Sequence, residues 1–296
     1  MRVTFNSGFA NALAAINAAA ERLLQRQEEV ATGKRLHVPS DDPSAMSGAI
    51  NARNEARVLD QYRRTTDSAE SRLLVLDSAL TEVIKSLTTA QSHAAAARTT
   101  VLTPEQRDAL ALAIEGTRDA ILNSVSTSYN GIFLFSGSAS TTEPYSKGPP
   151  ITAYQGDNLT VSVDATRTRE VAVTVDGDAV LRGSDPDDVF VVLTNLATAA
   201  RTGDMAGIDQ GFAALDRAFD RVTTAQSRVG ADLSAIESQR RHLDEMRRAA
   251  DRQRSTLEDA NLAESISGLT SAEQAQRAAL SALSTANRLS LFDFLR

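Results

Sequence analysis

The stretch AESRLLVLDSALTEVIKSLTTAQSHAAAARTTV, residues 69–101, decides the reading of this chain. Within it Ala69, Leu73, Leu76, Leu80, Val83, Leu87, Ala90, Ala94, Ala97 and Val101 alternate steps of four and three, which keeps a narrow apolar stripe on one helix face. A stripe that long must be covered. Far along the chain Val222, Val229, Ile236, Leu243, Ala250 and Leu257 recur every seventh residue, so the chain carries its own candidate partner. The expected intramolecular seam joins Leu73, Leu76, Leu80, Val83 and Leu87 to Val229, Ile236, Leu243 and Leu257.

Reading outward toward the start, Leu13, Ile16, Ala20, Leu23, Gln27 and Val30 repeat at helical spacing, predicting a helix from about Ala10 to Val30 that stops at Thr32-Gly33. The loop Lys34-Arg35-Leu36-His37-Val38-Pro39-Ser40-Asp41-Asp42-Pro43 ends in a start signal, with Asp42 able to cap free amides and Pro43 suited to the first helical position. The long helix that follows, from about Pro43 to Arg98, would measure on the order of 80 Å at about 1.5 Å per residue. Thr103 with Pro104, Glu105 and Gln106 is a capping box opening another helix, striped by Leu110, Ile114, Ile121 and Val125 and predicted to end near Tyr129-Asn130-Gly131.

From about Ile132 to Gly183 the period falls to two, in Leu159, Val161 and Val163 and again in Val171, Val173 and Val175, which predicts strands, with Asp176-Gly177 as a tight turn before Ala179, Val180 and Leu181. Asp185-Pro186 should then start a helix through Val192, Leu193 and Leu196. After a break at Gly203 to Gly207, a second long helix should run from about Ile208 to Leu262. Gly268 should interrupt before a last helix with Leu269, Ala272, Ala279, Leu280 and Leu283.

The expected fold is mainly α with a small β domain: an elongated antiparallel helical bundle or coiled coil built from both chain ends, with a β-rich insertion in the middle. Its parts would be residues 1–42 with 263–296, the terminal helices; 43–131 with 184–262, the long-helix bundle; and 132–183, the exposed β-rich domain. Aromatics make up 4% of the chain and Trp is absent, which suits helices with narrow seams and a rod-like shape rather than one thick core.

The charge pattern argues against a nucleic-acid partner, because a net charge of −7 is spread with the two signs interleaved. Even the densest basic group, Arg240, Arg241, Arg247 and Arg248, lies among Asp244, Glu245 and Asp251 and reads as a solvated helix face. With no cysteine, disulfides, thiolate metal sites and a cysteine nucleophile are excluded together. The N-terminal residues do not build a signal peptide, and no stretch has the length of a membrane span, so export by a cleaved signal and a membrane partner are not expected.

Candidate chemistry is sparse. His37, His93 and His242 sit in separate segments without ligand spacing, and the acidic groups Asp41-Asp42 and Asp185, Asp187 and Asp188 stand at proline-marked helix starts, where capping explains them. No glycine run follows a strand into a helix, so a phosphate cradle has no support. No catalytic, metal or cofactor site is expected, and the chain reads as a non-enzyme.

The terminal stripes are thin and Ala-rich, and as an isolated pair they would bury too little area to offset their own ordering entropy. One reading has them merely pack against the long helices and complete a monomeric bundle; the expected one has them order by contact with neighbours, through Leu13, Ile16, Leu23, Val30, Leu280, Leu283, Leu289, Leu291 and Phe292.

Several motifs together resemble the bacterial flagellin family. Thr32-Gly33-Lys34-Arg35-Leu36 followed by Pro39-Ser40-Asp41-Asp42-Pro43 is similar to the family's N-terminal signature, in the form typical of the subunits that join hook to filament. Asn130-Gly131-Ile132-Phe133-Leu134-Phe135-Ser136-Gly137 resembles the motif leading into the β domain, and Tyr154-Gln155-Gly156-Asp157 a further feature of the junction branch. Glu258-Asp259-Ala260-Asn261 with Ala263-Glu264, and the closing Leu289-Ser290-Leu291-Phe292, resemble the shared C-terminal pattern. The resemblance implies a structural hook-filament junction adaptor in an extracellular flagellum, reached by export through the central channel without a cleaved signal. Its implied partners are other copies in a ring, a neighbouring hook-associated protein and flagellin, with an export chaperone a further candidate on the C-terminal helix. A filament-forming flagellin is the alternative, and a cytoplasmic coiled-coil scaffold that dimerises through the long stripes is the second.

Overall fold

A computed structural model describes residues 2–294 apart from 100, 147, 149, 150, 152, 167 and 168, and side chains within 10–284 apart from those and 165, 166 and 169. Among the described residues the chain forms α1 (Arg2–Thr32), α2 (Pro43–Ala97), α3 (Pro104–Val125), the strands β1 (Ser128–Tyr129), β2 (Ile132–Phe133), β3 (Ser162–Thr166) and β4 (Arg169–Ala172), then α4 (Gly177–Leu181), α5 (Val189–Thr202), α6 (Met205–Glu258) and α7 (Leu262–Phe294). The fold is mainly helical with few, short strands, and they pair antiparallel as β1–β2 and β3–β4. Two compact units are present, Met1–Val58 with Met246–Arg296, and Leu59–Glu245, and both long helices contribute residues to each unit.

The larger unit is organised on the ladder. Ala69, Leu73, Leu76, Leu80, Val83, Leu87, Ala90, Ala94 and Ala97 are buried and share one core with Leu215, Val222, Val229 and Ile236 of α6. That core continues into Ala111, Ile114, Ile121 and Val125 of α3 and Phe190, Leu193 and Leu196 of α5, two helices that pack on each other. Polar pairs hold the register: the Gln226 amide donates to Thr81 Oγ1 at 2.9 Å, and the Arg240 guanidinium reaches Glu70 and, at 3.4 Å, Asp67. Of the clustered arginines, Arg240 pairs with Glu70 and Arg247 with Asp251.

The structure corrects several expectations. Val101 keeps the ladder's spacing but not its place, because α2 ends at Ala97 and leaves Val101 85% exposed. The third helix stops at Val125, and Asn130-Gly131 instead turns the β1–β2 hairpin; φ is +51° at Asn130 and +78° at Gly131, the two left-handed residues that a tight type I′ turn requires. Asp176 accepts from the N–H groups of Asp178 and Ala179 and so caps the short α4 where a tight turn was predicted.

Asp188, not Asp185, caps α5, accepting from Val191 N–H at 2.9 Å. Asp185 is held between Arg217 at 2.9 Å and Arg221 at 2.7 Å; burial pushes its carboxyl upward, but the two guanidinium groups outweigh that and hold it low. The second long helix closes at Glu258, and the break falls at Asp259–Asn261, so α7 runs through Gly268 without interruption. The glycine lies where α1 comes close: a Cβ there would stand 3.2 Å from Arg26 Nε.

Candidate assembly site

In the smaller unit α1 packs against α7. The pairing is antiparallel, since Ser265 Oγ donates to the Glu29 carboxylate at 3.3 Å, Gly268 meets Arg26, and Lys34 bridges Asp259. Of the expected contact residues, Ile16, Leu23 and Val30 on α1 and Leu283 on α7 are half-buried, whereas Leu13 and Leu280 are exposed. The side chains of Leu289, Leu291 and Phe292 lie outside the described residues. Leu24 and Ile266, which the stripe omits, are 64% and 52% exposed, and Leu262, also outside it, is as exposed as Leu280. Stepping by threes and fours selects one face per helix and is silent about a second.

The signature loop closes this unit by clasping the α6–α7 break. Arg35 N–H donates to the Glu258 carbonyl at 2.7 Å, Ala260 N–H donates to the Gly33 carbonyl at 2.9 Å, and the Arg35 guanidinium donates to the Leu257 carbonyl at 3.1 Å. The two bonds from Arg35 use carbonyls that the end of α6 leaves without helical partners. The Glu258 carboxylate is buried, with Lys34 Nζ at 3.6 Å and the Arg53 guanidinium against it, so the charge removed from water is compensated from both the loop and α2. Leu257, half-buried, packs on α2 at Gly48, where a Cβ would come within 2.9 Å of it.

Each residue of the loop has a local task. Gly33, at φ +68°, ends α1 and donates to the Glu29 carbonyl at 2.9 Å. Asp42 caps α2, accepting from Ala45 N–H at 3.0 Å and Ser44 Oγ at 2.8 Å. Asp41 turns the loop back on itself, accepting from Val38 N–H at 3.0 Å and His37 N–H at 2.9 Å, and those two backbone bonds hold its carboxyl below the usual carboxylate range.

The other two motifs meet in the larger unit. Tyr154 Oη donates to the Phe135 carbonyl at 2.9 Å, lies 3.1 Å from the Asp157 carbonyl and accepts from Gly177 N–H at 3.3 Å. Asp157 accepts from Ser138 N–H at 2.6 Å and from the Ser138 hydroxyl, and these bonds keep its carboxyl low. The glycines are there because the neighbouring backbone and the Tyr154 side chain leave no room: a Cβ on Gly137, which has φ +65°, would sit 2.3 Å from the Asp157 carbonyl, and one on Gly156 would sit 2.3 Å from Tyr154 Oη. Beneath the knot Tyr145 is fully buried, its ring 5.5 Å from Tyr154 and 4.7 Å from Phe190. Sequence spacing could not join Phe133–Gly137 to Tyr154–Asp157, which lie about twenty residues apart.

Among the described residues no group of three or more His, Asp or Glu side chains is placed to hold a metal, and no helix is long and apolar enough to cross a membrane. A cavity of about 700 Å³ is lined by Arg118, Asp119, Leu122, Phe190, Thr194 and Asn195; the Thr194 hydroxyl donates to the Phe190 carbonyl at 2.8 Å and the Asp119 carboxylate accepts from Arg118 at 2.9 Å, so the two are not paired as nucleophile and base.

Comparison with known proteins matches residues 3–140 to the bacterial flagellin N-terminal helical region and residues 212–295 to the bacterial flagellin C-terminal helical region. Flagellar hook-associated protein 3 of Escherichia coli is 29% identical over 195 residues, which cover 64% of this chain and 58% of that protein. The protein of the same name from Salmonella typhimurium is 27% identical over 215 residues, covering 68% of this chain and 67% of that protein. The chain therefore spans between about half and two thirds of the relatives it matches. The crystal structure of the flagellar junction protein FlgL from Legionella pneumophila superposes with a TM-score of 0.61 at 14% identity, covering 72% of this chain and all of that one, a likeness of fold.

Proposed function

Because this chain belongs to the bacterial flagellin family, matched at both of its helical ends, we propose that it is a structural subunit of the flagellum that joins the hook to the flagellin filament and catalyses no reaction. The observation that carries this reading is the knot in which Tyr154–Asp157 closes on Phe133–Gly137, the two motifs of the junction branch, in a chain whose relatives include the hook-associated protein 3 of two bacteria. Residues 1–42 with 263–296 act as the assembly region, 43–131 with 184–262 as the bundle, and 132–183 as the exposed part. The partners are further copies of the chain in a ring, a hook-associated protein on one side and flagellin on the other. The chain works outside the cell and leaves it without a cleaved signal, and a chaperone on the C-terminal helix would guard it until then.

Deletion of the gene tests the reading. Cells should carry bare hooks and lose flagellin to the medium; filaments still attached to hooks would sink the junction role. The match to the flagellin helical regions favours filament subunit as the second reading, which predicts that purified protein extends seeds into long filaments.

A further inference from the structure

We infer that the terminal pair carries its own register lock: the buried Glu29–Ser265 bond and the clasp around Glu258 fix which residues of α1 face which residues of α7, a choice that the apolar seam of the pair cannot make. The lock lies within one chain and does not depend on the junction role.

The seam itself is nearly indifferent to sliding. The half-buried residues Ile16, Ala19 and Leu23 of α1 and Ala272, Gln276 and Ala279 of α7 recur at helical spacing, and alanine is the commonest among them. Moving α7 along α1 by one turn, three or four residues, lays one small contact where another stood. The apolar area buried then changes little from one register to the next, so burial gives no strong preference.

The buried polar groups are not indifferent. Glu29 is 4% exposed and is met by Ser265 Oγ at 3.3 Å across the pair and by Arg26 at 2.7 Å on its own helix. A slip of one turn sets Glu29 against Leu262 or Leu269, whose side chains have no donor, and takes the carboxylate away from the Ser265 hydroxyl. At the closed end the 2% exposed Glu258 is held by Lys34 and Arg53, while Arg35 N–H donates to the Glu258 carbonyl and Ala260 N–H to the Gly33 carbonyl. The residues just past α1 and just before α7 are thereby tied at one setting. Polar groups buried in a helix seam lower stability relative to an apolar filling, and their best-attested effect is the choice of register.

The absence of cysteine makes the test direct. Arg26 meets Gly268, and Leu23 lies one turn before the first as Ala272 lies one turn after the second, so a Leu23→Cys, Ala272→Cys chain reports the native register. Leu23→Cys with Leu269→Cys, or with Gln276→Cys, reports a slip of one turn in either direction. Full-length chains are taken from isolated flagella, or as purified protein where none is seated, so the result is read whether or not the junction role holds; they are oxidised mildly and the joined peptides of each chain are identified by mass spectrometry. The native-register disulfide should exceed either slipped one by about tenfold or more, the discrimination that an unsatisfied buried polar pair supports. Glu29→Gln keeps an acceptor for Ser265 and should preserve that preference, whereas Glu29→Leu with Ser265→Leu should weaken it. Adding Arg35→Pro and Glu258→Leu should abolish it while helical content by circular dichroism is kept. Equal yields from the three cysteine pairs without these changes overturn the inference, as does a combined variant that still joins only in the native register. Joined peptides lost in every register of the combined variant also overturn it, because the polar groups would then hold the pair together rather than choose its setting.

Discussion

Single side chains hold the two motif clusters, and each makes a measurable claim. The Tyr154 hydroxyl serves three backbone groups from Phe135, Asp157 and Gly177, so Tyr154→Phe leaves polar groups unsatisfied and should lower unfolding free energy by about 1–3 kcal/mol in chemical denaturation. Burial pushes its phenol up to about 12. An acid whose folded pKa is raised contributes stability that is full below the ordinary value of 10.0 and is lost as pH rises through the folded value. Alkaline melting should therefore steepen between those two points in the native chain and less so in Tyr154→Phe. Asp41 behaves oppositely. The Val38 and His37 amides lower its carboxyl below the ordinary 3.8, so its contribution is present above that value and is lost as pH falls through the lower folded one. The protection factors of the His37 and Val38 amides, corrected for the intrinsic exchange rate, should fall as pH drops through that value, and in Asp41→Asn they should be lower already at neutral pH.

Among helices, the difference lies between faces that are filled and faces that are open. Leu80 is wholly buried in the core shared by α2 and α6, and Leu80→Ala should cost about 2–5 kcal/mol because the surrounding helices cannot collapse on the void. Leu24→Ala removes a side chain that water already reaches and should change the stability of the isolated chain by no more than about 0.5 kcal/mol, read by thermal unfolding of both variants. Helix ends obey local chemistry more closely than periodicity. Asp42 before Pro43 and Thr103 before Pro104 start α2 and α3, Thr103 with the reciprocal box in which its hydroxyl accepts from Gln106 N–H and the Gln106 side chain accepts from its own. Asp185 before Pro186 has the same signature and starts nothing, because Arg217 and Arg221 take its carboxylate.

For the whole chain, the terminal helices are the part whose removal separates folding from assembly. A chain lacking the residues before Val30 should keep the cooperative unfolding of Leu59–Glu245, whose core draws nothing from α1, while failing to appear on hooks; incorporation of that chain would refute the assembly role of α1. The amino-acid sequence by itself determined the helical class, the ladder from Ala69 to Ala97 and its answering heptads, and the starts of α2 and α3, because spacing and capping act within a few residues and are written locally. It misjudged Val101, Gly268 and Asp176, where a repeat, a glycine and a turn signal each have two local meanings. Only the tertiary structure decided between them. It also brought Tyr154 to Phe135 and Glu258 to Lys34 and Arg53, and it showed Leu24 uncovered beside half-buried Leu23 and Ile266 uncovered beside buried Ser265. The physical reason is that periodicity says which residues share a helix face, while the packing of one helix on another says which of its faces is consumed and which is left for a neighbour.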